Sequence, residues 1–152
     1  MPTMAVINGG ATDLGLCCDL RIGVSGTRMF MPAARFGLHY YPGGLRRFVA
    51  ALGVTEAKRI FLTGQTLSGA DMLRIGFLTD LVPRRDLQRT LGAYLAAIQA
   101  CEPAVQRSMK RQLGAIAAGE TVEAVSCEAY EASLASPELR RRLTALMEKR
   151  RR

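Results

Sequence analysis

The chain has 152 residues, 49% of them hydrophobic and 22% charged, with a formal net charge of +8. These values suit a soluble globular protein able to build a core. No apolar run approaches the length of a membrane span, and no basic stretch followed by an apolar core opens the chain, so a cytoplasmic protein without membrane contact is expected.

The charge is unevenly placed. Residues 140–152 hold seven Lys/Arg against one Glu, while the other 139 positions hold 14 basic and 12 acidic groups. A basic end of this kind reads as a solvated helix terminus, where cations suit the helix dipole, or as a contact for phosphate. No aromatic residues interleave with the charge, so nucleic acid is not the expected partner. The four cysteines, Cys17, Cys18, Cys101 and Cys127, form no CxxC, and His39 is the one histidine. A metal site is therefore not expected, and buried reduced thiols are.

In chain order, Met4 to Ile7 reads as a strand, Asn8-Gly9-Gly10 as a turn, and Leu14, Leu16, Cys17 and Cys18 as a buried helix. A strand, a glycine turn and a helix make a site-forming geometry, since glycine permits close approach and free amides at a helix start point outward. A tight turn with no ligand fits the same residues. Leu20 to Val24 reads as a strand, Ser25-Gly26-Thr27 as a turn and Met29-Phe30-Met31 as a short strand stopped by Pro32. Ala33 to Gly44 is a glycine- and aromatic-rich loop without period, of the kind that binds ligands. Within it His39, beside Tyr40 and Tyr41, is either an acid–base group or a plain loop residue.

Helices follow. One starts at Leu45, and a second is capped by Thr55 and closed by Thr63-Gly64. A third starts at the capping box of Ser68 and Asp71 and ends at Gly76. Phe77 to Val82 is a brief apolar, strand-like segment before Pro83. Leu87, Leu91, Leu95 and Ile98 mark one helical stripe, and Pro103 opens a helix with Val105, Met109, Leu113 and Ile116. Glu120 to Leu134 reads as another helix. Ser136-Pro137-Glu138 starts the last, with Leu139, Leu143, Leu146 and Met147 facing inward. The few strands make a poor sheet alone.

PTMAVINGG…DLGLCCDLRIG, FMPAARFGL, YPGGLRRFVAALG, FLTGQTLSGADMLRIGFLTDLVP and ASPELRRRLTALMEKRRR, in that order, resemble the enoyl-CoA hydratase/isomerase (crotonase) family. The resemblance covers about the C-terminal two thirds of a member, which implies an N-terminally truncated chain. It implies an α/β fold: a partial ββα spiral over residues 1–82, then a C-terminal helical, trimerisation-type region over 83–152. It further implies an acyl-CoA substrate of fatty acid metabolism, a homo-oligomer (a trimer or a dimer of trimers) and no cofactor beyond the coenzyme A of the substrate.

Carried onto this sequence, the family's second oxyanion donor falls on Gly10, and the position of its first catalytic glutamate on Asp13. The substrate-lining positions fall on Ala11, Pro32, Ala33, Gly37 and His39, and Lys149-Arg150 matches a basic end that approaches nucleotide phosphates. Three departures matter. The first oxyanion donor lies in the absent N-terminal part, and losing one such donor costs on the order of 100- to 1000-fold in rate. The turn at Gly9-Gly10 is shorter than the family's. Finally, Ala33 stands where the second glutamate belongs. Hydration needs both a base and an acid. Asp13 is one methylene short of a glutamate and is alternatively a solvated or capping carboxylate, and Ala33 does not titrate. An impaired hydratase is thus expected, or a catalytically inactive subunit serving as an association module.

Overall fold

The computed structural model describes residues 1–10, 12–121 and 127–150, without the side chains of Lys149 and Arg150. The chain divides into two compact units, Met1–Cys101 and Glu102–Arg152.

In the first unit, β1 (Met4–Ile7), β2 (Leu20–Val24) and β5 (Asp80–Val82) form a parallel sheet in the order β1-β2-β5. The register pairs Ile7 with Gly23 and Val24 with Val82. The central strand is closed in on both faces, and Ile22, Gly23 and Val24 are all buried, the continuous burial that parallel strands require. A Cβ on Gly23 would lie 2.4 Å from Leu78 Cδ1, so a side chain there would displace that leucine from its seat against the sheet. A second, antiparallel pair joins β3 (Arg28–Met29) to β4 (Leu67–Ser68), with Met29 opposite Leu67.

Around these strands lie α1 (Thr12–Gly15), α2 (Pro42–Thr63), α3 (Gly69–Arg74) and α4 (Leu87–Ala100). The core gathers Ile7, Met29, Phe48, Ile60, Leu67 and Met72 from strands and helices alike, with Phe77 from the segment between α3 and β5. This is the α/β architecture expected, helix-rich and with few strands. α2 takes in both helices read from Leu45 and Thr55. It is kinked at Gly53 (φ 77°, ψ 162°), and it starts at Pro42, whose ring suits a first helical position. Gly64 closes it in the left-handed region. The capping box that opens α3 is complete: Ser68 Oγ accepts from the Asp71 amide at 3.1 Å, and Asp71 Oδ2 accepts from the Ser68 amide at 3.1 Å.

Several expectations need correction. The helix after the glycine turn is one turn long, not a buried helix through Cys18. The amides of Cys17 and Cys18 bond back to Leu14 and Gly15, and Asp19 is tied to Thr3 so that β2 can begin, leaving Leu14 74% exposed. The cysteines are not a buried set: Cys17, Cys101 and Cys127 are exposed and Cys18 is half-buried. The strand expected over Met29–Met31 ends at Met29, where pairing with β4 stops. Ala33–Phe36, within the loop read as irregular, forms a 3-10 turn closed by Gly37.

The second unit carries α5 (Pro103–Ala117), α6 (Glu128–Ala135) and α7 (Pro137–Arg150). Glu102 caps α5, its carboxylate accepting from the Val105 amide at 2.6 Å. Leu139, Leu143, Leu146 and Met147, expected inward, are exposed, as are Val105, Met109, Leu113 and Ile116. Of the helix read over Glu120 to Leu134, residues 122–126 lie outside the described residues, and α6 holds the later part.

Candidate active site

The glycine turn and the helix after it carry two candidate groups three residues apart in the chain. Gly9 has φ 138°, a conformation that a side chain would strain, and it turns the chain off β1. Among the described residues the Gly10 amide has no acceptor, and a Cβ added at Gly10 would meet nothing within 4 Å. Asp13 follows in the single turn of α1, with its side chain 20% exposed. Ala11 lies outside the described residues.

Asp13 is tied down from α2 and the segment leading into it. Arg47 Nε donates to Oδ1 at 2.9 Å and Arg47 Nη2 to Oδ2 at 3.0 Å, a fork-on-carboxylate pairing. The Tyr41 hydroxyl donates to Oδ2, and Arg47 Nη2 donates to the Tyr41 oxygen. The Arg47 guanidinium also lies over the Tyr41 ring, 5.5 Å from its centroid. Tyr41 is held there by its own backbone. It precedes Pro42, which favours an extended conformation (φ −72°, ψ 146°), and its carbonyl accepts from the Gly44 and Leu45 amides at the start of α2.

Tyr40 packs its ring 5.0 Å from Phe61 and edge-on to Phe48 at 6.4 Å. That seat exists because residue 44 is glycine, since a Cβ there would lie 2.2 Å from Tyr40 Cε1.

The electrostatics follow from these contacts. The hydrogen bonds from Arg47 hold the Asp13 carboxyl below the usual carboxylate range against a smaller opposing effect of burial. Burial first, and the Asp13 carboxylate second, push the Tyr40 phenol up to about 12. The bond to Asp13 raises Tyr41 as well. Near neutrality the cluster is therefore a carboxylate, a guanidinium and two neutral phenols.

Of the other described residues singled out in the sequence, none bonds the Asp13 carboxylate. Pro32 leads into the 3-10 turn, and Ala33 is buried with its carbonyl accepting from the Leu38 amide at 2.9 Å. Gly37 closes that turn at φ 67° and is exposed. His39 is exposed, with Nδ1 2.8 Å from the Tyr40 carbonyl oxygen rather than on the carboxylate. The side chains of Lys149 and Arg150 lie outside the described residues. No group of three or more His, Cys, Asp or Glu suited to a metal ion occurs among the described residues. No described helix is long and apolar enough to cross a membrane.

Arg47 was the residue that sequence reasoning missed. It stands 34 positions from Asp13, and no spacing rule joins a one-turn helix to the second turn of another helix.

The fold is a crotonase-type α/β fold. An enoyl-CoA hydratase/carnithine racemase from Magnetospirillum magneticum superposes with a TM-score of 0.87 at 21% identity, over 98% of this chain and 57% of that one. A Thermobifida fusca protein assigned as an enoyl-CoA hydratase, solved with acetoacetyl-CoA, superposes with a TM-score of 0.76 at 26% identity, over 87% of this chain and 54% of that one. The model of the family described as enoyl-CoA hydratase/isomerase matches residues 1–152, and the chain belongs to that family. Among curated relatives, the short-chain-enoyl-CoA hydratase of Clostridium acetobutylicum is 26% identical over 161 residues, covering 98% of this chain and 59% of the relative. The chain thus spans about three fifths of the length of the curated relatives it matches.

Proposed function

We propose that this chain acts on an acyl-CoA thioester, receiving the thioester oxygen at the Gly10 amide and stabilising the enolate formed there, with Asp13 as the adjoining carboxylate. The observation that carries the reading is the Gly10 amide: a backbone donor without an acceptor among the described residues, on a turn bent by Gly9, at an exposed glycine. A preorganised donor of this kind is worth on the order of 100- to 1000-fold in rate. Membership of the family and the acetoacetyl-CoA in the Thermobifida fusca relative support the substrate class. The reading needs no resident cofactor, because coenzyme A arrives with the substrate.

Hydration is the weaker part of this activity. Ala33 offers no second titratable group, and Asp13, ionised and doubly bonded to Arg47, is a poor proton donor near neutrality. Proton movement between substrate carbons needs less machinery, so isomerase-type chemistry of fatty acid metabolism is favoured over addition of water. In the second unit, the exposed apolar residues of α5 and α7 favour a further element of the reading, assembly of copies into a trimer through the C-terminal helices. They also favour the rival reading of an inactive subunit that serves association alone.

The test is calorimetric titration of the purified chain with acetoacetyl-CoA, beside a crotonyl-CoA hydration assay. Saturable binding that Gly10→Pro abolishes, with the fold retained by circular dichroism, is expected, together with weak turnover. Saturable binding with no turnover on any enoyl-CoA selects the association reading. Absence of binding by the folded wild type overturns the acyl-CoA assignment.

A further inference from the structure

Three features stand out beyond the chemistry already proposed: the Tyr41 side of the Asp13–Arg47 cluster, the half-buried Arg21 and the exposed apolar residues of the second unit. Arg21 is accounted for by structure. Its guanidinium caps the carbonyls of Cys18, Gly76 and Phe77 and so ties β2 to the segment before β5. The apolar residues of the second unit point to nothing beyond the assembly already proposed. The cluster carries more, because Tyr41 has no role in the chemistry assigned so far.

We infer that Tyr41 is the proton donor of this site, a catalytic residue standing in for the titratable group that Ala33 lacks, and that it works as a donor paired with the acceptor Asp13. The inference rests on the acyl-CoA reading. The distribution of protons within the cluster decides the roles. Asp13 Oδ2 is occupied by Arg47 Nη2 and by the Tyr41 hydroxyl, whereas Oδ1 accepts from Arg47 Nε, and the Tyr40 hydroxyl also acts on the carboxylate. A carboxylate offers about four lone-pair positions, and Oδ1, clear of the Tyr41 hydroxyl, takes the incoming proton. The carboxylate has no proton to give. The Tyr41 hydroxyl that donates to it carries a transferable proton, and Tyr41 is 49% exposed. The Arg47 guanidinium touches both oxygens, so a negative charge on either keeps a cation beside it.

The steps balance. Asp13 Oδ1 takes a proton from a substrate carbon. That C–H bond breaks, and its electron pair becomes the enolate, with the charge on the thioester oxygen at Gly10. The enolate carbon then takes the proton of the Tyr41 hydroxyl. The O–H bond breaks, a C–H bond forms, the carbonyl is restored, and the charge passes to the phenolate beside Arg47. Last, Asp13 Oδ1 gives its proton to solvent and the phenolate takes a proton from solvent, so both groups return to their starting states and the substrate proton is exchanged with the medium. No oxidant, metal or water is consumed. The reaction class is proton transfer at or between carbons next to a thioester carbonyl, which includes α-proton exchange and double-bond migration.

The groups facing this pair are few. Arg47 comes from α2, and Tyr40 and Tyr41 from the segment before it. Cys17, two residues past α1, directs its thiol to the Asp13 backbone carbonyl at 3.7 Å, and His39 binds the Tyr40 carbonyl. The bond to Asp13 raises the Tyr41 phenol, which keeps its proton available well above neutrality.

The experiment compares wild type with Tyr41→Phe, which removes the hydroxyl and keeps the ring under Arg47. Butyryl-CoA is the probe. Its affinity is read by calorimetry, and α-proton exchange into deuterated water by NMR across a pH series. A general acid contributes roughly 100- to 10,000-fold, so exchange is expected to fall at least about 100-fold in Tyr41→Phe. Affinity is expected to change less than about threefold. The wild-type rate falls on the alkaline side as the phenol ionises, and that limb is missing from the residual activity of the variant. A variant that exchanges at the wild-type rate and keeps the limb overturns the inference and leaves the acyl-CoA reading standing. So does a wild type that binds butyryl-CoA and exchanges nothing. Loss of affinity and exchange together, with the same limb in the residual rate, assigns Tyr41 a structural role and also overturns it. A folded wild type that does not bind butyryl-CoA overturns the reading and the inference with it.

Discussion

At the scale of single residues, the site is governed by what surrounds one short carboxylate. Asp13 has no catalytic partner at Ala33, but it has a cation that meets it side-on, and the cation decides its charge. Replacing Arg47 by Met keeps an apolar stem of similar length and removes the two donors. The Asp13 carboxyl is then expected to titrate at a higher pH than in wild type, because the largest lowering influence is gone while the burial that opposes it stays. Carbon-detected NMR of the Asp13 carboxyl measures this directly, and an unchanged midpoint contradicts the assignment of cause. A second residue-scale prediction concerns Gly44. A methyl group there lies 2.2 Å from a ring carbon of Tyr40, and Tyr40 is braced by Phe48 and Phe61. Gly44→Ala is expected to destabilise by about 1–3 kcal/mol, the usual cost of overpacking, read as a lower urea midpoint. It should also shift the Tyr40 and Tyr41 ring signals, since the two rings pack 5.0 Å apart.

At the scale of elements, the strongest local signals in the sequence became the best-defined joints of the fold. The Ser68–Asp71 capping box forms both of its reciprocal bonds, and Ser68→Ala is expected to cost about 0.5–2 kcal/mol in urea denaturation. Met4 to Ile7 and Leu20 to Val24 are strands with the expected bounds, because apolar runs between turn residues leave little choice. Where the sequence concealed the outcome, a contact distant in the chain is the reason. The run Leu14 to Cys18 has helical composition, but it is cut short by the need to return the chain to β2 through the Thr3–Asp19 contacts, a constraint imposed by a strand already passed. α2 reads as two helices because Gly53 interrupts the pattern, and in the structure the two pieces run on through a kink. The candidate site was legible only where it is local. Gly10 and Asp13 are three residues apart, so the turn defines them, whereas the Arg47 and Tyr41 contacts exist because α2 is brought against α1 by burial of Phe48 and Ile60 in the core.

At the scale of the whole molecule, the same cluster shapes how stability responds to pH, with Asp13 acting at the acid end and the two tyrosines at the alkaline end. The Asp13 pKa is lowered on folding from an ordinary 3.8, so its contribution is present above that value and is lost as pH falls through the folded pKa. Tyr40 runs the other way. Its pKa is raised from 10 to about 12, so the folded state favours the neutral phenol. That contribution is fully present below pH 10 and is lost as pH climbs from 10 to about 12. Single-variant differences separate these effects from the general titration of surface lysines and carboxylates. The urea midpoint of wild type minus that of Asp13→Asn is expected to be constant from about pH 5 upward and to shrink below 3.8. The midpoint of wild type minus that of Tyr40→Phe is expected to be constant below pH 10 and to move against wild type between pH 10 and about 12. Glu138, lowered to about 2 by Arg141 and Arg142, also titrates in acid, but it is present in both proteins of each pair and cancels. A Tyr40 difference that stays flat to pH 12 would mean that the phenol is as free to ionise in the folded chain as in the unfolded one. The burial of Tyr40 and its interaction with the Asp13 carboxylate, to which the raised pKa is assigned, would then have to be abandoned as its causes.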